Sequence, residues 1–298
     1  MDYNFQFLNY LTKKGGPDKD DYYNLDCWIL EFIDNVKKGC FSKEYNQLLM
    51  NSLGDAISVE TMQGISFQKP HGYAGDYEII DRIYTRYVSN KKHLQKWDNY
   101  MQDKSAAHAV RNRAHYFCNL IENLVEKKPS QKIEVANIAS GPGRDMLYFF
   151  QNNPTALVNF DCIEQDPNAI NYARELNTKH LGKINFIVKN VLRFKSQKNY
   201  DLIWSAGLFD YFDDERFVFM LQKLRSMISE NGEIVVGNFS TKNPDRAYME
   251  LFEWHLHHRS PQNLLSLAKA AGYEENELNV KMEKLGVNLF LHIRPIFN

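Results

Sequence analysis

Two glycines, Gly141 and Gly143, follow a short apolar run, and an acid, Glu164, ends the next one. Glycine lets a backbone approach a ligand closely, and a carboxylate can accept both hydroxyls of a ribose. The first run carries Val135 and Ile138, the second spans Val158–Ile163, and a helix is expected from Arg144. This is the layout of a nucleotide-type ligand at the carboxyl end of a parallel sheet. A dinucleotide fingerprint needs a third glycine three residues after the second, and the chain has Met146 there. That disfavours a nicotinamide dinucleotide.

Asn137, Ala139, Gly141 and Gly143, with Ser140 among them, resemble the D/E-x-G-x-G-x-G loop of class I S-adenosylmethionine (SAM)-dependent methyltransferases. Asn137 stands where that family usually has an acid, and Ala139 where it usually has glycine. Asparagine can still hydrogen-bond the methionine end but adds no charge. The resemblance extends in chain order. Glu164, Gln165, Asp166 and Pro167 resemble the family's acid-x-D-P segment after the second strand. Asn190 and Val191 follow the third strand, where the family often has Asp paired with the adenine amino group. Ala206, Gly207 and Leu208 follow the fourth, where the loop flanks the methionine and the reactive methyl. The implied cofactor is SAM, and no metal is implied.

Four further segments are similar to a bacterial family known for extracellular-factor, or 3-hydroxypalmitic acid methyl ester, biosynthesis. They are Lys69–Asp76, Ser140–Asp145, Ala206–Tyr211 and Asn243–Glu250, the last running on to Glu253-Trp254-His255. The similarity covers residues 65–297. It implies methyl transfer to a small-molecule carboxylate, with a 3-hydroxy fatty acid as the implied acceptor. Two other readings stay open. One is N- or O-methylation of an amino-acid-like or natural-product molecule. The other is a SAM-binding regulatory protein without turnover.

A carboxylate is ionised at neutral pH and needs no base, whereas an amine or alcohol needs a proton acceptor nearby. Arginine holds a carboxylate through its two-pronged fork; the candidates are Arg111, Arg113, Arg246 and Arg259. The loop Lys69–Asp76 reads either as a lid, with His71 and Tyr73 touching the acceptor, or as a tight turn into a helix capped by Asp76. Tyr211 either faces the acceptor or packs under the next helix. His71, Tyr73, Asp76, Tyr211 and Arg246 are thus the candidate catalytic residues. His255 and His258 would share a helix face without a matched acid partner, so they read as solvated or packed residues. Tyr248, Leu251, Phe252 and Trp254 read as core, with an acyl lining as the alternative.

These groups need a scaffold. Strands are expected over 133–139, 158–164, 184–189, 200–205 and 233–239. Helices are expected between them over 144–152, 167–178 and 214–229. Asp166-Pro167 starts one helix and Asn231-Gly232 stops another. Ser260-Pro261 opens a further helix that Gly272 closes. Two final strands, 277–284 and 287–294, form a hairpin at Leu285-Gly286. The expected fold is α/β: a Rossmann-like methyltransferase sheet, mostly parallel, with an antiparallel C-terminal hairpin and helices on both faces. An N-terminal helical region, residues 1–130, precedes the SAM-binding domain, 131–298, and would form the acceptor-pocket lid. Within it the apolar period places a helix over Tyr22–Lys38, and 91–127 reads as one long helix or two.

Lys+Arg 36 against Asp+Glu 37 gives a net charge of -1, so there is no basic footprint for nucleic acid. Cys27, Cys40, Cys118 and Cys162 are widely spaced with no CxxC, which fits a reducing cytoplasm and speaks against a disulfide framework or a zinc site. The N-terminal MDYNFQFLNYLTKKGG lacks the pattern of a signal peptide, and no apolar run suits a membrane helix. No motif speaks to oligomeric state.

Overall fold

A computed structural model describes residues 5–41 and 43–297. The first four residues, part of the segment weighed against a signal peptide, lie outside the described ones. Strands β1 (Ile133–Ile138), β2 (Val158–Glu164), β3 (Ile184–Val188), β4 (Tyr200–Ser205), β5 (Ile228–Phe239), β6 (Leu278–Met282) and β7 (Asn288–Ile293) form one sheet in the order β3-β2-β1-β4-β5-β7-β6. The first five are parallel, and β7 runs antiparallel to both β5 and β6.

The central strands bury both faces, as parallel strands between helical layers must. On one face Phe217, Met220, Leu221 and Leu224 from the helix Asp214–Arg225 pack with Leu264 and Ala268 from the helix Pro261–Ala270. On the other, Phe117 and Ile121 pack with Met146, Phe149 and Phe150 from the helix Arg144–Asn152 and with Ile170 and Ala173 from the helix Pro167–Leu176. The helix starts are local. Asp166 accepts from the Asn168 amide ahead of Pro167, and Ser260 accepts from the Asn263 amide ahead of Pro261.

One expectation fails at β5. The helix before it ends at Arg225, and the strand begins at Ile228, so Asn231-Gly232 is no helix stop. Tyr200 pairs with Ile228 and Leu202 already pairs with Glu233, which leaves residues 229–232 as a bulge. A Cβ on Gly232 would meet the Tyr200 carbonyl at 2.7 Å. Glycine inside a strand serves this close approach.

The chain divides into two compact units, 1–108 with 244–255, and 109–243 with 256–298. The expected boundary near residue 130 does not coincide with this division. Residues 91–127 hold two helices, Gln95–Gln102 and Ser105–Lys127, and the second runs past residue 109. Phe117, Cys118 and Ile121 belong to the core of the sheet, which is why that stretch joins the second unit. The first unit is helical. It takes in the helix Arg246–Leu251, whose Glu250 pairs with Lys37 at 2.8 Å and whose Tyr248 hydroxyl donates to Gln63 at 3.0 Å. Asp245 accepts from the Ala106 amide at 2.8 Å. Among the described residues no helix is long and apolar enough to cross a membrane.

Gly237 in β5 shows how tightly the strand ends are set. A Cβ there would lie 2.3 Å from the Ala206 carbonyl oxygen, in the loop after β4. Gly237→Ala should lower stability by about 3 kcal/mol or more, since the contact is with backbone that cannot turn aside. Chemical denaturation of the two proteins would read this directly.

Candidate functional site

The loop after β1 makes two left-handed turns of backbone at glycine, φ 54° at Gly141 and 66° at Gly143. A Cβ on Gly141 would meet no atom within 4 Å, so the space above it is open. A Cβ on Gly143 would press on Met146 Cε at 2.8 Å. Met146 is itself buried, with its sulfur 3.2 Å from Cys162 Sγ. The volume next to this glycine is therefore filled by a side chain. Ala139 also sits in the left-handed region, φ 52°. That explains why glycine suits the position, and alanine there stores strain.

Glu164 ends β2 almost fully buried and does more than its residue type announced. Its Oε2 accepts from the Gly141 amide at 3.1 Å, and its Oε1 accepts from the amides of Gln165 at 2.7 Å and Asp166 at 3.0 Å. Burial pushes its pKa up, and the three amides oppose that. Glu164 thereby ties the glycine loop to the turn after β2, with lone-pair capacity left for a ribose hydroxyl. Asn190 is more occupied than expected. Its Oδ1 caps the turn through the Leu192 amide at 2.9 Å, and its Nδ2 donates to Gln165 Oε1 at 2.8 Å. Val191 beside it is buried.

Asn137 is buried at the end of β1, and its Nδ2 lies 3.5 Å from Asp145 Oδ2. Sequence reasoning passed over Asp145 as a site residue. The structure puts its carboxyl beside the asparagine that stands where an acid was expected. Burial raises the Asp145 pKa to about 6, against the Met146 amide, Asn137 and the Arg113 charge. Ser140 is buried in the same loop.

Beyond β4, Ala206, Gly207 and Leu208 lead into a turn, Phe209–Tyr211. A Cβ on Gly207 would lie 3.1 Å from Arg113 Nη1 and 3.6 Å from Asp210 Oδ2. Arg113 is 5% exposed, and its Nε is buried without a hydrogen-bond partner. Asp210 is 1% exposed; its Oδ1 accepts from the Phe239 amide at 2.6 Å. Burial pushes its pKa up to about 7, with Arg113 and Arg259 opposing. Tyr211 is partly exposed at the end of this turn.

The other arginines part company here. Arg259 is structural: Nη1 donates to the Phe209 carbonyl and Asn238 Oδ1, and Nη2 donates to the Phe212 carbonyl and Asp214. Arg246, a catalytic candidate, lies in the first unit; its Nε donates to Glu250 at 2.6 Å and its side chain is exposed. Arg111 is buried in the second unit.

His71, Tyr73 and Asp76 also belong to the first unit, whereas Tyr211 belongs to the second. Asp76 caps the helix Tyr77–Tyr84 through the amides of Glu78 and Ile79, both at 2.9 Å. His71 Nε2 lies 3.0 Å from Glu78 Oε2, and its ring packs on Tyr77. Tyr73 is partly exposed. The segment carrying His255, His257 and His258 is not helical, so the expected shared helix face does not exist. His258 contacts Asn243, and the His257 amide donates to the Asp210 carbonyl. Tyr248, Leu251, Phe252 and Trp254 are buried in the first unit.

Residues 135–232 match a methyltransferase domain model. No curated protein sequence matches the chain. Solved structures resemble it in fold. A "possible exported protein" from Bordetella parapertussis is 18% identical, with 74% of this chain and 80% of that one covered and a TM-score of 0.61. Magnesium protoporphyrin IX methyltransferase from Synechocystis PCC 6803, with bound SAH, is 11% identical, with 78% and 100% covered and a TM-score of 0.53. The CMeT domain of the citrinin polyketide synthase is 12% identical, with 84% and 64% covered and a TM-score of 0.56. The fold is that of the SAM-dependent methyltransferases, as expected.

Two substitutions test the cradle. Ala139→Gly should stabilise the protein by up to about 1 kcal/mol, because relief of left-handed strain outweighs the added unfolded-state entropy; thermal melts would show it. Glu164→Gln should weaken binding of S-adenosylhomocysteine (SAH) roughly tenfold to hundredfold in calorimetry, since an amide nitrogen cannot accept from hydroxyls or from the loop amides.

Proposed function

We propose that this SAM-dependent methyltransferase esterifies a small-molecule carboxylate, and that the acceptor class is a 3-hydroxy fatty acid, as the four-segment resemblance implies. One observation carries the carboxylate reading. The charge left without a hydrogen-bond partner at its Nε beside the loop after β4 is a cation, the buried Arg113. Asp145 and Asp210 act on it through space without a direct hydrogen bond, and a carboxylate matches its fork.

The cofactor, when bound, supplies a methyl already activated on a sulfonium. The chain's own residues do the rest. Glu164 and the amides around Gly141 and Gly143 would hold the ribose and the glycine-loop side of the ligand. Asn190, Gln165 and Val191 flank the base side, and Asn137, Ala139, Ser140, Ala206 and Leu208 the methionine side. Arg113 holds the acceptor anion and withdraws it from water, which leaves alignment as the main task. His71, Tyr73, Asp76, Tyr211 and Arg246 are kept as acceptor-side residues of this proposal. A small-molecule acceptor, no nucleic-acid partner and a cytoplasmic site of action complete the reading.

A second reading rests on Asp210. Its raised pKa, about 7, suits a general base for an alcohol or amine acceptor.

The test is incubation with methyl-labelled SAM and a panel of 3-hydroxy fatty acids, amino acids, polyamines and phenols. Base-labile label released as methanol supports the ester; stable, non-volatile product moves the assignment to N- or O-methylation, and no product with SAM still bound favours a SAM-binding protein without turnover. Arg113→Met should lower kcat/KM for the acid by about a hundredfold and leave SAH affinity unchanged, the loss expected for a charged hydrogen-bonded contact.

A further inference from the structure

Asp145 stands in the first turn of the helix Arg144–Asn152. A carboxylate there ordinarily faces water and the free amides of the helix start. This one is buried beside the end of β1. Its Oδ1 accepts from the Met146 amide at 2.9 Å. Its Oδ2 meets Asn137 Nδ2 only at 3.5 Å, longer than an ordinary hydrogen bond. An ionised carboxylate can accept about four hydrogen bonds, so this oxygen is under-used. Burial raises the Asp145 pKa to about 6, so its charged form costs the fold free energy at neutral pH, and Arg113 offsets that only through space.

The carboxylate is not sealed off from a ligand. Asp145 keeps 6% of its surface in contact with solvent, and Ser140 in the same loop keeps 7%. A Cβ on Gly141 would meet no atom within 4 Å. A buried anion with a spare oxygen is completed by a cation that also donates hydrogen bonds. The methionine end of SAM carries such a group, its α-ammonium.

We propose that Asp145 is a cofactor-binding residue: its Oδ2, steadied by Asn137, accepts from the α-ammonium of the cofactor. Asn137 alone offers a dipole there, and Asp145, eight residues on, supplies the charge. The inference rests on the methionine-side placement of Asn137 above and is independent of the acceptor.

Asparagine at 145 makes a sharp probe. The Met146 amide needs an oxygen, so Nδ2 takes the place of Oδ2. Asn137 can turn its own amide over and present Oδ1, which keeps the pair while removing the charge. The desolvation cost goes with the charge, so the melting temperature should hold or rise.

The measurement is calorimetry with SAH and with deamino-SAH, in which hydrogen replaces the amino group and the carboxyl is kept. The wild-type protein should bind SAH about ten- to hundredfold more tightly, as expected for a hydrogen bond between charged groups. Asp145→Asn should lose that advantage and bind deamino-SAH no more weakly than the wild type does. A wild-type protein that binds the two ligands equally overturns the proposal, whether or not the variant folds. So does an Asp145→Asn protein that keeps the full ratio, or one that loses both ligands alike, which would make Asp145 a support of the loop. A variant weakened for SAM and not for SAH overturns it too, by assigning the charge to the sulfonium. SAH that fails to bind the wild-type protein would overturn this proposal and the cofactor placement together.

Discussion

The carboxylate of Glu164 is the contact on which the cofactor side of the site depends. Three backbone amides from two loops converge on one side chain. It adds to the links the loop makes through the Ala139 amide to the Ile163 carbonyl and through Asn177 Nδ2 to the Gly143 carbonyl. The arrangement is reciprocal. The loop has left-handed turns because glycine permits them, and those turns aim the Gly141 amide at Glu164. A residue whose type suggests a ribose ligand is a structural tie between the two loops.

The far side of the site is held by a different device. Arg259 gathers the carbonyls of Phe209 and Phe212 with Asn238 and Asp214, so the turn after β4 is fixed from behind by a buried cation. β5 closes in through Gly237, where only a hydrogen fits against Ala206. Asp210 and the Phe239 amide complete the connection. Asp210 and the turn that carries it are thus held in place by backbone contacts on both sides.

Charge at this edge is unbalanced by design of the packing. Asp145 and Asp210 both have raised pKa values because burial penalises their charged forms, and Arg113 lowers both through space. Arg259, by contrast, has four partners and nothing to offer. Residue type alone could not separate these two arginines.

The alternation of strands and helices was legible in the chain because the apolar periods are strong and the caps are local: Asp166-Pro167, Ser260-Pro261 and Asp76 act within a few residues of themselves. The loop after β1 was legible for the same reason, since its glycines and Glu164 sit at fixed offsets from strand ends. The start of β5 was not, because Asn231-Gly232 looks the same as a helix stop and as a bulge; only pairing with β4 distinguishes them. The unit boundary was not legible either, because the helix Ser105–Lys127 is continuous while Phe117 and Ile121 owe their burial to the sheet. The sequence by itself determined the order of elements and the place of the glycine loop and Glu164 at the strand ends. Tertiary structure decided which arginine stands beside Gly207 and which acid stands beside Asn137. Those are long-range meetings of buried charges, and no local pattern records them.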